Sequence, residues 1–170
     1  HQQSGRGLVV GRFAPYHRGH QQLLDLARAE SDEVVVIVLP VPGDVTMRSS
    51  LRAGWITQMH PGIRVLVPED APPDDRPEAE RIDHLRAYIQ RLGLHVDTVF
   101  GADEESSHLA PVLSTPERPV TYRHLARDAQ LVTVPIEDIR ADVHRYRALL
   151  PPSVYAHFVE MVVFLGAEST

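Results

Sequence analysis

Two histidines three residues apart, His17 and His20, flank Gly19 in the run GRFAPYHRGH at positions 11–20. An imidazole can donate a hydrogen bond to a phosphate, and glycine lets backbone come close to a ligand. The run follows the apolar residues Leu8, Val9 and Val10 and opens onto Leu23, Leu24, Leu26 and Ala27, which recur at roughly helical spacing. Both imidazoles are therefore expected where a buried strand turns into a helix. In an open α/β sheet that junction gathers backbone N–H groups and the positive end of a helix dipole, and ligands bind there. Two other readings stay open: a pair of helix-cap and surface histidines, or half of a zinc site. The chain has no Cys and no H-E-x-x-H pattern, and no third ligand is evident, so no metal ligands are assigned.

The elements that must position this loop can be read along the chain. Residues 8–13 read as a buried strand and 18–30 as a helix. Residues 33–39 (EVVVIVL) form the nearly all-apolar run that a parallel sheet buries on both faces. A helix is expected over 48–60, with Leu51, Trp55, Ile56 and Met59 on one side, then a strand over 63–67. The acidic, proline-rich residues 68–77 read as a surface loop, and 78–92 as a helix with Ile82, Leu85, Ile89 and Leu92 as its stripe. A fourth strand at 96–100 ends at Gly101, and a fifth is expected at 131–134 before a short basic helical stretch. This alternation predicts an α/β fold: a doubly wound, Rossmann-like parallel sheet with helices on both faces.

Composition narrows the function classes. The 170 residues, 43% hydrophobic and 24% charged, suit one soluble domain with its own core. No apolar stretch reaches the ~20 residues that span a bilayer and no secretory signal is evident, so no membrane role is expected and the cytoplasm is the default setting. The absence of Cys excludes disulfides and thiolate catalysis. Net charge is −6, with no basic cluster long enough to grip a duplex, so no nucleic-acid partner is expected. All 17 cations are Arg, which removes Lys chemistry and leaves the planar guanidinium fork for any phosphate work.

With these residues in view, the chain resembles the HIGH-type nucleotidyltransferase superfamily. GRFAPYHRGH is most similar to nicotinamide-mononucleotide adenylyltransferases, in particular those fused to a C-terminal ribosylnicotinamide kinase. The likeness extends along nearly the whole chain through LRAGWITQMHP with Arg52 and Trp55, VFGAD ending at Asp103, VPIEDIRADV, LLPPSVYAHFV and FLGAEST. It implies that the 5′-phosphate of a mononucleotide attacks the α-phosphorus of ATP, with Mg²⁺, to give a dinucleotide and pyrophosphate. Small-molecule nucleotides would be the partners. His20 and His17 would be the principal phosphate ligands in the transition state, with Arg140 as a phosphate clamp. Gly11, Arg12, Phe13, Gly19, Trp55, Gly101 and Asp103 would contact the nucleotides.

Some of these roles have plainer alternatives. Trp55 either stacks on a nicotinamide ring or belongs to the core. Asp103 either binds a ribose or amide group or caps a following helix. Arg140 is either a clamp or a solvated cation. The expected division is a tag remnant or disordered end at 1–6, the nucleotidyltransferase domain at 7–158, and at 159–170 the start of a kinase-like phosphate-loop domain. The last expectation reads residues 160–165 as a strand leading into Gly166.

The chain departs from the family in two places. The Ser/Thr-containing stretch usual in the family's C-terminal motif corresponds here to Ile136-Glu137-Asp138-Ile139-Arg140, shorter and acidic, and the usual Ser-Glu after the fourth strand's glycine is Ala102-Asp103. These changes keep two alternatives in play: a nucleotidyltransferase with a different triphosphate or phosphorylated acceptor, and a non-catalytic module that senses nucleotides.

Overall fold

Every strand of the sheet is parallel, and the strands lie side by side in the order 64–66, 33–38, 6–11, 98–101 and 121–124. The computed structural model describes residues 5–41, 47–72, 75–125 and 136–168. Its strands are β1 (Arg6–Gly11), β2 (Glu33–Val38), β3 (Arg64–Leu66), β4 (Thr98–Gly101) and β5 (Thr121–His124). Its α-helices are α1 (Arg18–Glu30), α2 (Ser49–Met59), α3 (Glu78–Arg91), α4 (Glu104–Leu113), α5 (Ile136–Ala141) and α6 (Pro152–Glu168). Because the chain leaves β1 toward β2 and β3 and later returns to β4 and β5, the carboxyl ends of β1 and β4 flank the topological switch point. A crevice is expected there.

The apolar run of β2 explains why helices cover both faces. Val34, Val36 and Val38 join one core with Val9, Phe13, Leu24, Trp55, Ile56, Val154 and Phe158. Val35 and Ile37 join the other with Leu8, Ile82, Leu85, Ile89, Val99 and Leu109. Successive side chains of a strand point to opposite faces, so a strand apolar at every position must be packed on both. Helices α1, α2 and α6 therefore cover one layer, and α3 and α4 the other.

Three expectations are corrected. Residues 160–165 are not a strand but lie within α6, which runs unbroken across the expected domain boundary at 158/159. Pro152 stands at its first position, and the N–H groups of Val154 and Tyr155 bond to the Pro151 carbonyl. The short apolar run fits either element by periodicity; the length of the segment decides for the helix. Leu92, assigned to the α3 stripe, is its C-cap and 40% exposed. Phe13, read as the end of β1, lies beyond it at φ 53°, outside any strand conformation. The strand expected at 131–134 falls outside the described residues. The fifth strand described is β5, at Thr121–His124, which the sequence reading passed over.

Candidate active site

The loop from β1 to α1 is closed by its own histidines. His17 is the N-cap of α1, with extended backbone, and its Nδ1 accepts the Gly19 N–H at 3.0 Å. His20, at the third helical position, accepts the His17 N–H on its own Nδ1 at 3.2 Å. The pair forms a capping box in which imidazoles do the work usually given to Ser and Glu. The two rings stack at 3.8 Å with 22° between their planes, and Phe13 packs against His20 at 4.8 Å.

This geometry fixes the chemistry of both rings. Each Nδ1 accepts a backbone N–H, so in the neutral ring the hydrogen must be on Nε2. Burial lowers the His17 pKa to about 4. Burial, followed by the neighbouring His17 ring, holds His20 well below the usual histidine range. Both residues are thus neutral at physiological pH and carry Nε2–H as the remaining donor. Neutral donors at a helix N-terminus are groups that can bind an anion.

Neutrality has a stability consequence. The unfolded chain binds a proton at His17 as pH falls below about 6.5, whereas the folded chain does so only near 4. Folding stability therefore declines as pH is lowered through that interval. The denaturant midpoint is expected to fall from pH 6.5 toward pH 4, less steeply in His17→Asn, which caps without titrating. An equal slope in the two proteins would contradict the assignment.

Beside this loop, at the switch point, a small open crevice of about 50 Å³ is lined by Gly11, Arg12, Leu39, Asp103, Glu105 and Ser106. Arg81 of α3 pairs with Glu105 of α4, joining the two helices at this crevice. Gly101 is required at the end of β4, because a Cβ there would lie 2.6 Å from the Ser106 Cβ and force α4 off the sheet. Asp103 caps α4, accepting the Ser106 N–H on Oδ1 at 2.8 Å. Asp103→Ala is expected to cost ~1 kcal/mol in urea unfolding and Asp103→Asn a few tenths, since Asn also caps. A nucleotide-affinity loss in the Asn variant would then report direct contact with ligand.

Of the residues singled out from sequence, the structure brings together Phe13, His17 and His20 in one ring cluster and Gly11, Arg12 and Asp103 around one crevice. Gly19 belongs to the first cluster through its N–H. Trp55 is placed elsewhere: it is 4% exposed, in the core beside Ile56, and meets the His157 ring edge-on at 5.7 Å. That is the core alternative, with no open face for a nicotinamide ring. Arg140 lies on α5, and its side chain is outside the described atoms.

The sequence reading gave no role to Arg52 beyond the resemblance. This side chain is 1% exposed and latches three segments together. Its Nε donates to the Met47 carbonyl at 2.9 Å, and one terminal nitrogen donates to the carbonyls of Leu39, at 2.8 Å, and Arg12. The other terminal nitrogen donates to Ser49 Oγ at 3.0 Å. The only sequence signal was an Arg on the buried face of a helix. Among the described residues, no group of three or more His, Asp or Glu side chains could hold a metal ion, and no helix is long and apolar enough to cross a membrane.

No family model matches the chain. Among curated proteins it is similar to the nicotinamide-nucleotide adenylyltransferase of Methanocorpusculum labreanum, 28% identical over 123 residues, covering 65% of this chain and 69% of that protein. It is also similar to the nicotinamide-nucleotide adenylyltransferase of Methanoculleus marisnigri, 39% identical over 49 residues but only 29% of either chain. Among solved structures, the NadR protein in complex with NAD and AMP-PNP superposes with a TM-score of 0.57 at 19% identity, over 85% of this chain and 44% of that one. Thermotoga maritima TmcAL bound with alpha-thio ATP gives 0.69 at 12% identity, over 94% and 56%. A bifunctional NMN adenylyltransferase/ADP ribose pyrophosphatase from Francisella tularensis gives 0.61 at 14% identity, over 92% and 49%. The chain thus spans about half the length of these structural neighbours, and at these identities they establish the Rossmann-like fold.

Proposed function

We propose that this domain is an adenylyltransferase that joins nicotinamide mononucleotide and ATP, giving NAD and pyrophosphate. The observation that carries this reading is the orientation of the two loop histidines, each with Nδ1 held by backbone and Nε2–H left to donate. An oxygen of the mononucleotide 5′-phosphate attacks the α-phosphorus of ATP. The bond from that phosphorus to the oxygen bridging the β-phosphate breaks, and pyrophosphate leaves with the electron pair. A phosphate monoester is already anionic near neutral pH, so the step needs no general base. What it needs is alignment, and donors for the charge that grows on the non-bridging and leaving oxygens.

His20 and His17 supply those donors as neutral Nε2–H groups whose positions are set before the substrate arrives. The N-terminus of α1 adds its dipole. The crevice at the ends of β1 and β4 takes the nucleotides. Among the described residues no side-chain cluster suits a metal ion, and in this reading Mg²⁺ enters as part of the magnesium–triphosphate substrate. A cytoplasmic setting and a linked kinase-like domain are also part of the proposal. The second of these rests on the resemblance to fused proteins, not on the C-terminal segment, which is helical.

Chromatographic detection of NAD from nicotinamide mononucleotide, ATP and Mg²⁺ tests the proposal. The expected result is formation by the wild type and near loss in His20→Ala. Pyrophosphate release that persists with ATP replaced by another triphosphate would redirect the reading to different substrates. Nucleotide binding without any turnover would replace it with a sensing role.

A further inference from the structure

Beneath the loop of His17 and His20 lies a second chain of polar groups that adenylyl transfer does not use. Tyr16, with 0% exposed surface, places its hydroxyl 2.5 Å from Nε2 of His60, itself 2% exposed. On the far side of that ring, Nδ1 lies 3.6 Å from Oδ1 of Asp25. The three come from three places: the residue before His17, the turn after α2, and the middle of α1. His60 is anchored by its backbone, its N–H bonded to the Ile56 carbonyl at 2.8 Å and its carbonyl accepting the Ile63 N–H at 3.2 Å.

Burial first, then the charge of Asp25, raises the Tyr16 pKa, with Arg18 acting the other way, so the phenol keeps its proton. A buried hydroxyl hydrogen needs an acceptor, and Nε2 of a neutral His60 supplies one. Asp25 favours the tautomer with hydrogen on Nδ1. Burial lowers the His60 pKa; Asp25 opposes this and Arg28 adds to it.

We propose that Tyr16, His60 and Asp25 form a positioning relay that fixes the loop of His17 and His20 and releases it when His60 takes up a proton. Protonation turns Nε2 from acceptor into donor, and the Tyr16 hydrogen then loses its partner inside the protein. The Tyr16 ring lies 5.9 Å from that of His20, and Tyr16 is bonded directly to His17, so a turn of its side chain displaces both donors. The proton arrives from solvent past Asp25, whose side chain is 62% exposed.

The kinetic arm of the test rests on the adenylyltransferase reading; the spectroscopic arm does not. In NMR titrations from about pH 8 down to about pH 4, the Gly19 amide reports the loop and the imidazole signals report each histidine. In the wild type the Gly19 resonance is expected to move in one step that follows the His60 imidazole signals and in a second that follows those of His17, at about 4. Tyr16→Phe and His60→Gln are expected to abolish the first step and keep the second. In kinetics, Tyr16→Phe and His60→Leu are expected to lower kcat about threefold to tenfold with little change in KM for ATP. His60→Gln, whose amide oxygen accepts from Tyr16 and does not titrate, is expected to recover most of that loss and to extend activity further into acid.

A Gly19 signal indifferent to His60 in the wild type would overturn the relay, as would a Tyr16→Phe enzyme with wild-type kcat and acid limb. If the wild type forms no NAD at all, the adenylyltransferase reading fails and the NMR arm still decides the relay. Should Tyr16→Phe or His60→Leu not fold, the loss of the first Gly19 step in His60→Gln supports the relay and its persistence refutes it.

Discussion

Arg52→Met is expected to lower the unfolding free energy by about 3–5 kcal/mol, the range for breaking a buried, hydrogen-bonded charge. Met nearly matches the aliphatic length of Arg and donates nothing. The carbonyls of Arg12, Leu39 and Met47 and the hydroxyl of Ser49 would all lose a donor, fully buried at Met47 and part-buried at the other three. Removing the cation also removes its own desolvation cost, so the total falls below the sum of separate bonds. Arg52→Lys is expected to lie between the two, because one ammonium cannot reach acceptors spread across three segments. Denaturant unfolding followed by circular dichroism measures both. A loss under about 1 kcal/mol in the Met variant, the worth of an ordinary hydrogen bond, would show that the latch is not structural. The effect should extend to function, since Arg52 holds the Arg12 carbonyl at the point where β1 gives way to the loop of His17 and His20.

His20→Ala is expected to reduce kcat by about 10²–10³, the range for removing one preorganised donor from a developing oxyanion. Its effect on folding should be near ~1 kcal/mol, the worth of a capping interaction, because the His17 N–H loses its partner. The contrast between a large kinetic and a small thermodynamic effect is what separates a transition-state donor from a packing residue. Single-turnover NAD formation and urea unfolding on the same preparation provide both numbers. His17→Ala should also be severe, and the double variant should cost less than the product of the two, since the rings hold one another through the capping box. A His20→Ala enzyme within threefold of wild type would overturn the donor role.

Local pattern carried the reading a long way. Helix α1 lies where helical spacing put it, at Arg18–Glu30, and the all-apolar β2 announced a sheet covered on both faces. Boundaries slipped where a side chain and its backbone disagree: Phe13 counts as a strand residue by hydrophobicity yet leaves the strand by its φ. Strand β5 was missed because it is an edge strand, with Thr121, Arg123 and His124 exposed and no apolar run to mark it. Residues 160–165 were misread because a short apolar run carries no period, and only the helix start at Pro152 distinguishes the two cases. In the site, the paired histidines were legible because donor and acceptor are three residues apart. The Tyr16–His60 contact spans 44 residues, and the carbonyls that Arg52 grips are backbone atoms; neither leaves a trace in a linear pattern.

Phe13 is a bulky residue in the left-handed region, a conformation that glycine would adopt without strain. Its ring, 1% exposed, is what holds it there, wedged between the core and His20. The backbone conformation at this point is thus imposed by burial against the local torsional preference. Its ordering entropy is spent during folding, and glycine at this position would move that cost to the moment any ligand is captured.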